Sequence, residues 1–301
     1  MKKRNGLIEL YRFFFALNVV KSHGFFPEGL SYFSPGRVSV EFFFVLSGYL
    51  FVRTLDRLRS EPLGRGILKV ISSRLRPLLV PLVIGLISNL AYNIVTKEYF
   101  DGLWGYLWYV HAMLLASIGY FILRKLIKSD RAFFYTVLGI CIAATLMRFS
   151  GVFYSWGYVR AASTMSLGML ISRIPKIKLK HQNLLWLIVA PLQLAALTVV
   201  CFHLGNIEWF GGFMGVEAIL DLIIYPALIY FTFCLEVNSR IMCYLGALSF
   251  GLYAYQCPAD LLRALGVSSR YLLLGFIVLC TLVDDGVKRI LKKRAEKQHI
   301  Q

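Results

Sequence analysis

The sequence predicts an all-α polytopic membrane protein, a bundle of about ten transmembrane helices, on three observations. Hydrophobic residues make up 58% of its 301 positions and charged ones only 16%. Mean hydropathy is +0.65. Apolar runs of about 20 residues, the length that crosses a bilayer as helix, recur along the whole chain.

Taken in order, the spans fall near 6–26, 38–54, 77–96, 103–123, 132–148, 157–172, 183–203, 213–235, 241–265 and 270–287. The second and sixth are short, and Pro258 interrupts the ninth. With the N-terminus in the cytoplasm, twenty-five Lys and Arg fall in segments on that side, seven of them within 53–76. The opposite loops hold only Arg37, Lys97 and Arg270. This is the positive-inside pattern with both termini cytoplasmic, and it requires an even number of crossings.

The charge distribution also excludes a function class. A net charge of +17 would suggest nucleic acid in a soluble chain. Here the cations flank membrane spans next to anionic lipid, and no base-reading element accompanies them, so no nucleic-acid partner is expected. Six cysteines lie within spans, with no CxxC and no Cys/His spacing of a metal site, so they read as packing residues and no metal is expected. The first segment is long, contains Arg12 and Lys21 and lacks a small-residue cleavage pattern, so it is expected to stay in the mature protein. One domain is expected to use residues 1–301, with a core at about 4–285 and a basic cytoplasmic tail at 288–301.

Chemistry-bearing residues stand out against this apolar background. Arg12 and His23 are eleven residues apart in the first span, so they lie within roughly 20° of one helical face and about 16 Å apart along the axis. An intramembrane guanidinium costs on the order of 3 kcal/mol and normally faces a bundle interior. Glu41 lies in the outer part of the second span and needs a partner there; Arg12 and His23 are the nearest candidates in sequence. A carboxylate beside a histidine orients the imidazole and raises its basicity, as a general base requires. Ser47-Gly48 suits close helix approach, with Ser47 a conceivable nucleophile. Glu217 and Asp221, spaced i, i+4, are expected to pair with Arg148 or Arg160. Tyr99, Trp104, Trp156 and Trp209 sit near outer span ends, where an aromatic belt is expected.

Arg12 and His23, VEFFFVLSGYL at 40–50, SRLRPLLVP at 73–81, LWYV at 107–110 and LGALSFGLY at 245–253, in that order, together resemble the acyltransferase 3 family of integral-membrane acyltransferases. Arg12 and His23 in the first helix, followed by VEFFFVLSGYL at 40–50, are similar to that family's paired opening motifs. SRLRPLLVP at 73–81 resembles its basic segment before the third helix, LWYV at 107–110 its Trp-aromatic motif, and LGALSFGLY at 245–253 its late helix motif. Two positions depart from the pattern. The family's Arg-x-x-Arg pair becomes Arg74 and Arg76 with Pro77 in the last place, and a histidine often found three residues after the late tyrosine is Gln256. Glutamine cannot titrate, which places more weight on His23.

The resemblance implies transfer of an acyl group, usually acetyl, from cytoplasmic acyl-CoA to a hydroxyl of a glycan, such as a surface polysaccharide, or of another acceptor, in the inner membrane of a bacterium. Acyl-CoA is then a donor substrate, and no tightly bound cofactor is expected. His23, Arg12 and Glu41 are the expected catalytic residues, and Arg74 and Arg76 bind the donor. Ser47, Trp108, His111, Tyr253 and Gln256 are the expected cavity lining. The competing class is a transporter or flippase using the same charged residues as a substrate pathway; no inverted repeat supports it.

Overall fold

Helix α1 (Gly6–Ser22) starts where Asn5 caps it, its side-chain oxygen accepting from the Leu7 N–H at 3.0 Å while its Nδ2 donates to the Thr232 carbonyl at 2.8 Å. The first helix is thus tied at its first residue to a late one. The computed structural model describes residues 5–26, 36–97, 107–151, 153, 157–177, 188, 189, 192, 193, 195, 212–235 and 237–298. Every regular element among them is helical.

After α1 come α2 (Gly36–Arg57), α3 (Leu63–Leu75), a 3₁₀ turn (Arg76–Leu78), α4 (Leu79–Thr96), α5 (Trp108–Leu126), α6 (Asp130–Phe149) and α7 (Gly157–Ile171). The later helices are α8 (Gly212–Ile219), which passes through a π-helical turn (Leu220–Ile224) into α9 (Tyr225–Cys234), then α10 (Arg240–Ala254), α11 (Gln256–Ala264) and α12 (Arg270–Gln298). A helix lies under each expected span except the seventh, most of which falls outside the described residues. Three stretches, Leu63–Thr96, Asp130–Phe149 and Glu217–Cys234, are long and apolar enough by themselves to cross a membrane. The count of ten crossings rests on the sequence alone.

Burial in α4 runs opposite to that of a soluble helix. Leu79, Val83, Ile87, Leu90 and Ile94 are exposed on one face, while Asn89 and Asn93 are buried on the other. Apolar residues outside and amides inside is the arrangement that lipid demands. On α12, Leu272, Leu279, Val283, Val287 and Ile290 form a similar exposed stripe.

The structure defines three places more closely. The basic segment 53–76 is no loop: α2 runs through its start, and α3 occupies Leu63–Leu75. The ninth span breaks at Tyr255, in line with the interruption expected at Pro258, which has no N–H for the Ala254 carbonyl four residues back. The basic tail is helical as far as Gln298.

Small residues set the closest helix crossings. A Cβ on Gly48 would lie 2.1 Å from the Met165 carbonyl oxygen, and one on Gly168 would lie 2.0 Å from that of Val45. Helices α2 and α7 therefore cross backbone to backbone, as expected of Ser47-Gly48. Likewise Gly246 of α10 admits Glu9 of α1, whose Oε2 would be 2.3 Å from an added Cβ.

Candidate functional site

Five segments far apart in sequence line one cavity of about 240 Å³. Helix α1 contributes Arg12 and Val19, α2 Phe43, Ser47 and Leu50, and α3 with its 3₁₀ turn Ser73, Arg74 and Pro77. Helix α5 adds Tyr109 and Met113, and α10 adds Ser249, Phe250 and Tyr253. The walls are mainly apolar, so the few polar groups fix what binds there. Arg12 donates to Glu9 at 2.7 Å, its side chain still 31% exposed. Arg74 donates to the Ser47 carbonyl at 3.3 Å and sits over the Phe51 ring at 4.7 Å. The Ser47 and Tyr109 hydroxyls meet at 3.1 Å, and Tyr109 packs edge-on against Tyr253.

Residues 6–283, nearly the whole chain, match the family model described as an acyltransferase domain. The chain belongs to the acyltransferase 3 family. No curated protein and no solved structure matches it. The sequence motifs that carry the acyltransferase resemblance are the segments that meet at this cavity.

Glu41 has a different place from the one expected. It is fully buried and pairs with Arg160, through Nε and Oε1, and with Arg148 at 3.3 Å. These, and not Arg12 or His23, are its ion-pair partners. Arg148 also reaches Glu217 at 3.0 Å and Asp221 at 2.7 Å, which bears out the expected pairing of both acids. The acyltransferase thus buries three carboxylates against two guanidinium groups. Asp221 enters this cluster from the π turn, where Tyr225 donates to Leu220 five residues back. Pro226 explains the widening, since it has no N–H for the Leu222 carbonyl.

The cluster reaches the cavity through aromatic packing. Arg160 lies 5.0 Å from the Trp108 ring, and Trp108 fills the space over Gly157, where an added Cβ would be 2.6 Å from the ring. Trp108 therefore packs on the ion cluster and is absent from the cavity lining. Its neighbour Tyr109 lines the cavity instead.

His23 caps the C-terminal end of α1, its N–H donating to the carbonyl of the cavity-lining Val19 at 3.3 Å. It is one turn beyond the cavity wall on the face that carries Arg12 and Val19. Arg263 of α11 holds it there, donating twice to its carbonyl at 3.3 Å while pairing with Asp260 at 3.0 Å and stacking on Phe25 at 4.4 Å. Sequence reasoning named neither Arg263 nor Asp260.

The expected donor pair divides. Arg74 faces the cavity, whereas Arg76 is exposed and lines a separate outer groove of about 840 Å³ with Arg57, Arg65 and Lys69. Glu61 is the one carboxylate in that lining and is taken by Lys69 at 2.5 Å. Ser73 and Pro77 border both spaces, so one turn of chain separates groove from cavity.

Two further expected lining residues lie elsewhere. His111 faces Tyr158, whose hydroxyl is 3.1 Å from Nδ1. Gln256 is fully buried at the α10–α11 break, where its Nε2 donates to the Leu252 carbonyl at 3.3 Å. Tyr99, Trp104, Trp156 and Trp209 lie outside the described residues. Among the described residues no cluster of ligating side chains suits a metal ion.

Proposed function

We propose that the protein transfers an acyl group, acetyl in the first instance, from cytoplasmic acyl-CoA to a hydroxyl of a surface glycan. The observation that carries this reading is the pair of spaces meeting at Ser73 and Pro77. Outside is a cationic groove suited to nucleotide phosphates; inside is a narrow apolar cavity with two arginines, suited to an uncharged pantetheine arm ending in a thioester. Arg57, Arg65, Lys69 and Arg76 hold the phosphates, and Arg74 and Arg12 position the arm.

Transfer then proceeds by attack of the acceptor oxygen on the thioester carbonyl carbon. His23 takes the hydroxyl proton as the new C–O bond forms, the C–S bond breaks, and the proton passes to the departing thiolate. The Ser47 and Tyr109 hydroxyls can donate to the carbonyl oxygen as it gains charge. Glu41 acts at a distance by holding Arg160 beneath Trp108, and so the α5 backbone that presents Tyr109. The family resemblance suggests the bacterial inner membrane as the setting, and the Lys and Arg distribution favours both termini in the cytoplasm.

The test is incorporation of label from acyl-labelled acetyl-CoA into cell-surface glycan by membranes with and without the protein, released by mild base. Label that depends on the protein and is base-labile supports an ester product. Protein-independent label, or none with any acyl-CoA, would remove this donor and acceptor.

A further inference from the structure

A third cavity, of about 300 Å³, lies between the ends of α2, α6 and α7 that the charge distribution assigns to the cytoplasm, and shares no lining residue with either proposed donor space. Its two ends differ in chemistry. One carries Arg131 and Arg173; the other is walled by Val52, Phe133, Val137 and Met169. From the apolar end an exposed stripe continues along α6 through Tyr135, Ile142 and Leu146, so the cavity opens toward the lipid-facing side of that helix.

The charges at the polar end do not balance. Asp130 pairs with Arg124, and with Arg59 at 3.2 Å; Asp56 pairs with Arg173 at 3.1 Å. Arg131 is exposed, with no carboxylate in ion-pair range among the described residues. Four guanidinium groups thus surround two carboxylates at the level where the bundle meets lipid headgroups. A cationic mouth above an apolar slot matches an anionic headgroup above acyl chains. A soluble anion would leave the slot unfilled, and a zwitterionic lipid would bring a second positive charge to the same arginines.

We propose that this slot binds one anionic glycerophospholipid of the cytoplasmic leaflet, its phosphate on Arg131 and Arg173 and an acyl chain along Phe133, Val137 and Met169. The bound lipid joins α6 and α7 to the foot of α2. Because α6 and α7 also carry Arg148 and Arg160, the lipid braces the two helices that hold Glu41.

The test uses full-length protein in detergent, titrated with phosphatidylglycerol, with phosphatidylcholine of the same chains, and with inorganic phosphate, reading Tm and lipid retained in native mass spectrometry. The expected result is a saturable rise in Tm with phosphatidylglycerol and a retained single adduct. Neither phosphatidylcholine nor phosphate should reproduce it. Arg131→Glu should weaken the effect on the order of tenfold, the loss that charge reversal at a lipid headgroup gives. Met169→Trp should remove the adduct by filling the slot; if it does not fold, the surface variant Arg131→Glu decides alone. Equal shifts with both lipids, an equal shift with phosphate alone, or an unchanged adduct in Arg131→Glu would overturn the proposal.

Discussion

Arg148 and Asp221 approach to 2.7 Å in the protein interior, both buried, in a cluster that holds one more carboxylate than guanidinium. The imbalance predicts an asymmetry. Arg148→Met leaves three buried carboxylates with one cation and should cost about 3–5 kcal/mol, as removal of one side of a buried pair does. Asp221→Asn leaves two acids facing two bases and should cost within about 1 kcal/mol. Thermal unfolding in detergent, read for both variants, should rank them in that order; a more damaging Asp221→Asn would mean that the cluster is not governed by its charge balance.

Much of the cavity could be read from sequence because its residues sit in local motifs. Arg12, Ser47, Arg74 and Tyr253 each belong to a short pattern, and each lines the cavity. Glu41 could not be placed that way. Its partner Arg160 lies 119 residues on, and nothing local says which of several intramembrane arginines an acid will meet. Trp108 was named where Tyr109 was needed because neighbours on a helix point about 100° apart, and a motif does not give its phase. Helix α3 was hidden by its own charge: the density of Lys and Arg in 53–76 marks the cytoplasmic side and also suits an amphipathic surface helix.

The crossing of α2 and α7 yields a packing prediction. Gly48→Ala puts a methyl group 2.1 Å from the Met165 carbonyl oxygen, so the two backbones must separate. A loss of about 1–3 kcal/mol is expected, together with loosening of the Glu41–Arg160 pair, whose two members lie on these helices. Gly119→Ala on α5 meets nothing within 4 Å and should be neutral or slightly stabilising. Stability measured side by side separates crowding from backbone propensity, and equal effects would argue against the close crossing.

The division of Arg74 from Arg76 predicts two kinds of donor defect. Arg76→Gln, on the exposed groove, should weaken acyl-CoA binding modestly and reduce its dependence on salt, since screened surface attraction is what it supplies. Arg74→Gln, in the cavity, should weaken binding more and leave the salt dependence close to that of the unaltered protein. Titrations at two ionic strengths distinguish these. Identical defects in the two variants would mean that groove and cavity do not bind separate parts of the donor.

His23 stands where the two halves of the proposed reaction meet. It follows Val19 by one turn, on the α1 face that carries Arg12, and Arg263 holds its backbone from α11. His23→Ala should therefore abolish transfer, by at least about 10²-fold for loss of a general base, while donor binding in the cavity persists. Arg12→Ala should also lower turnover, through positioning, and Arg12→Lys should restore it only in part, because an ammonium can keep the single contact to Glu9 but lacks the guanidinium's further donors. Arg263→Gln makes the structural contribution visible: it releases the His23 carbonyl without touching the imidazole, so turnover should fall less than in His23→Ala and donor affinity should not change. Near-normal turnover in a folded His23→Ala protein would remove His23 as the base and leave the proton to another group, with His111 beside Tyr158 the next to test.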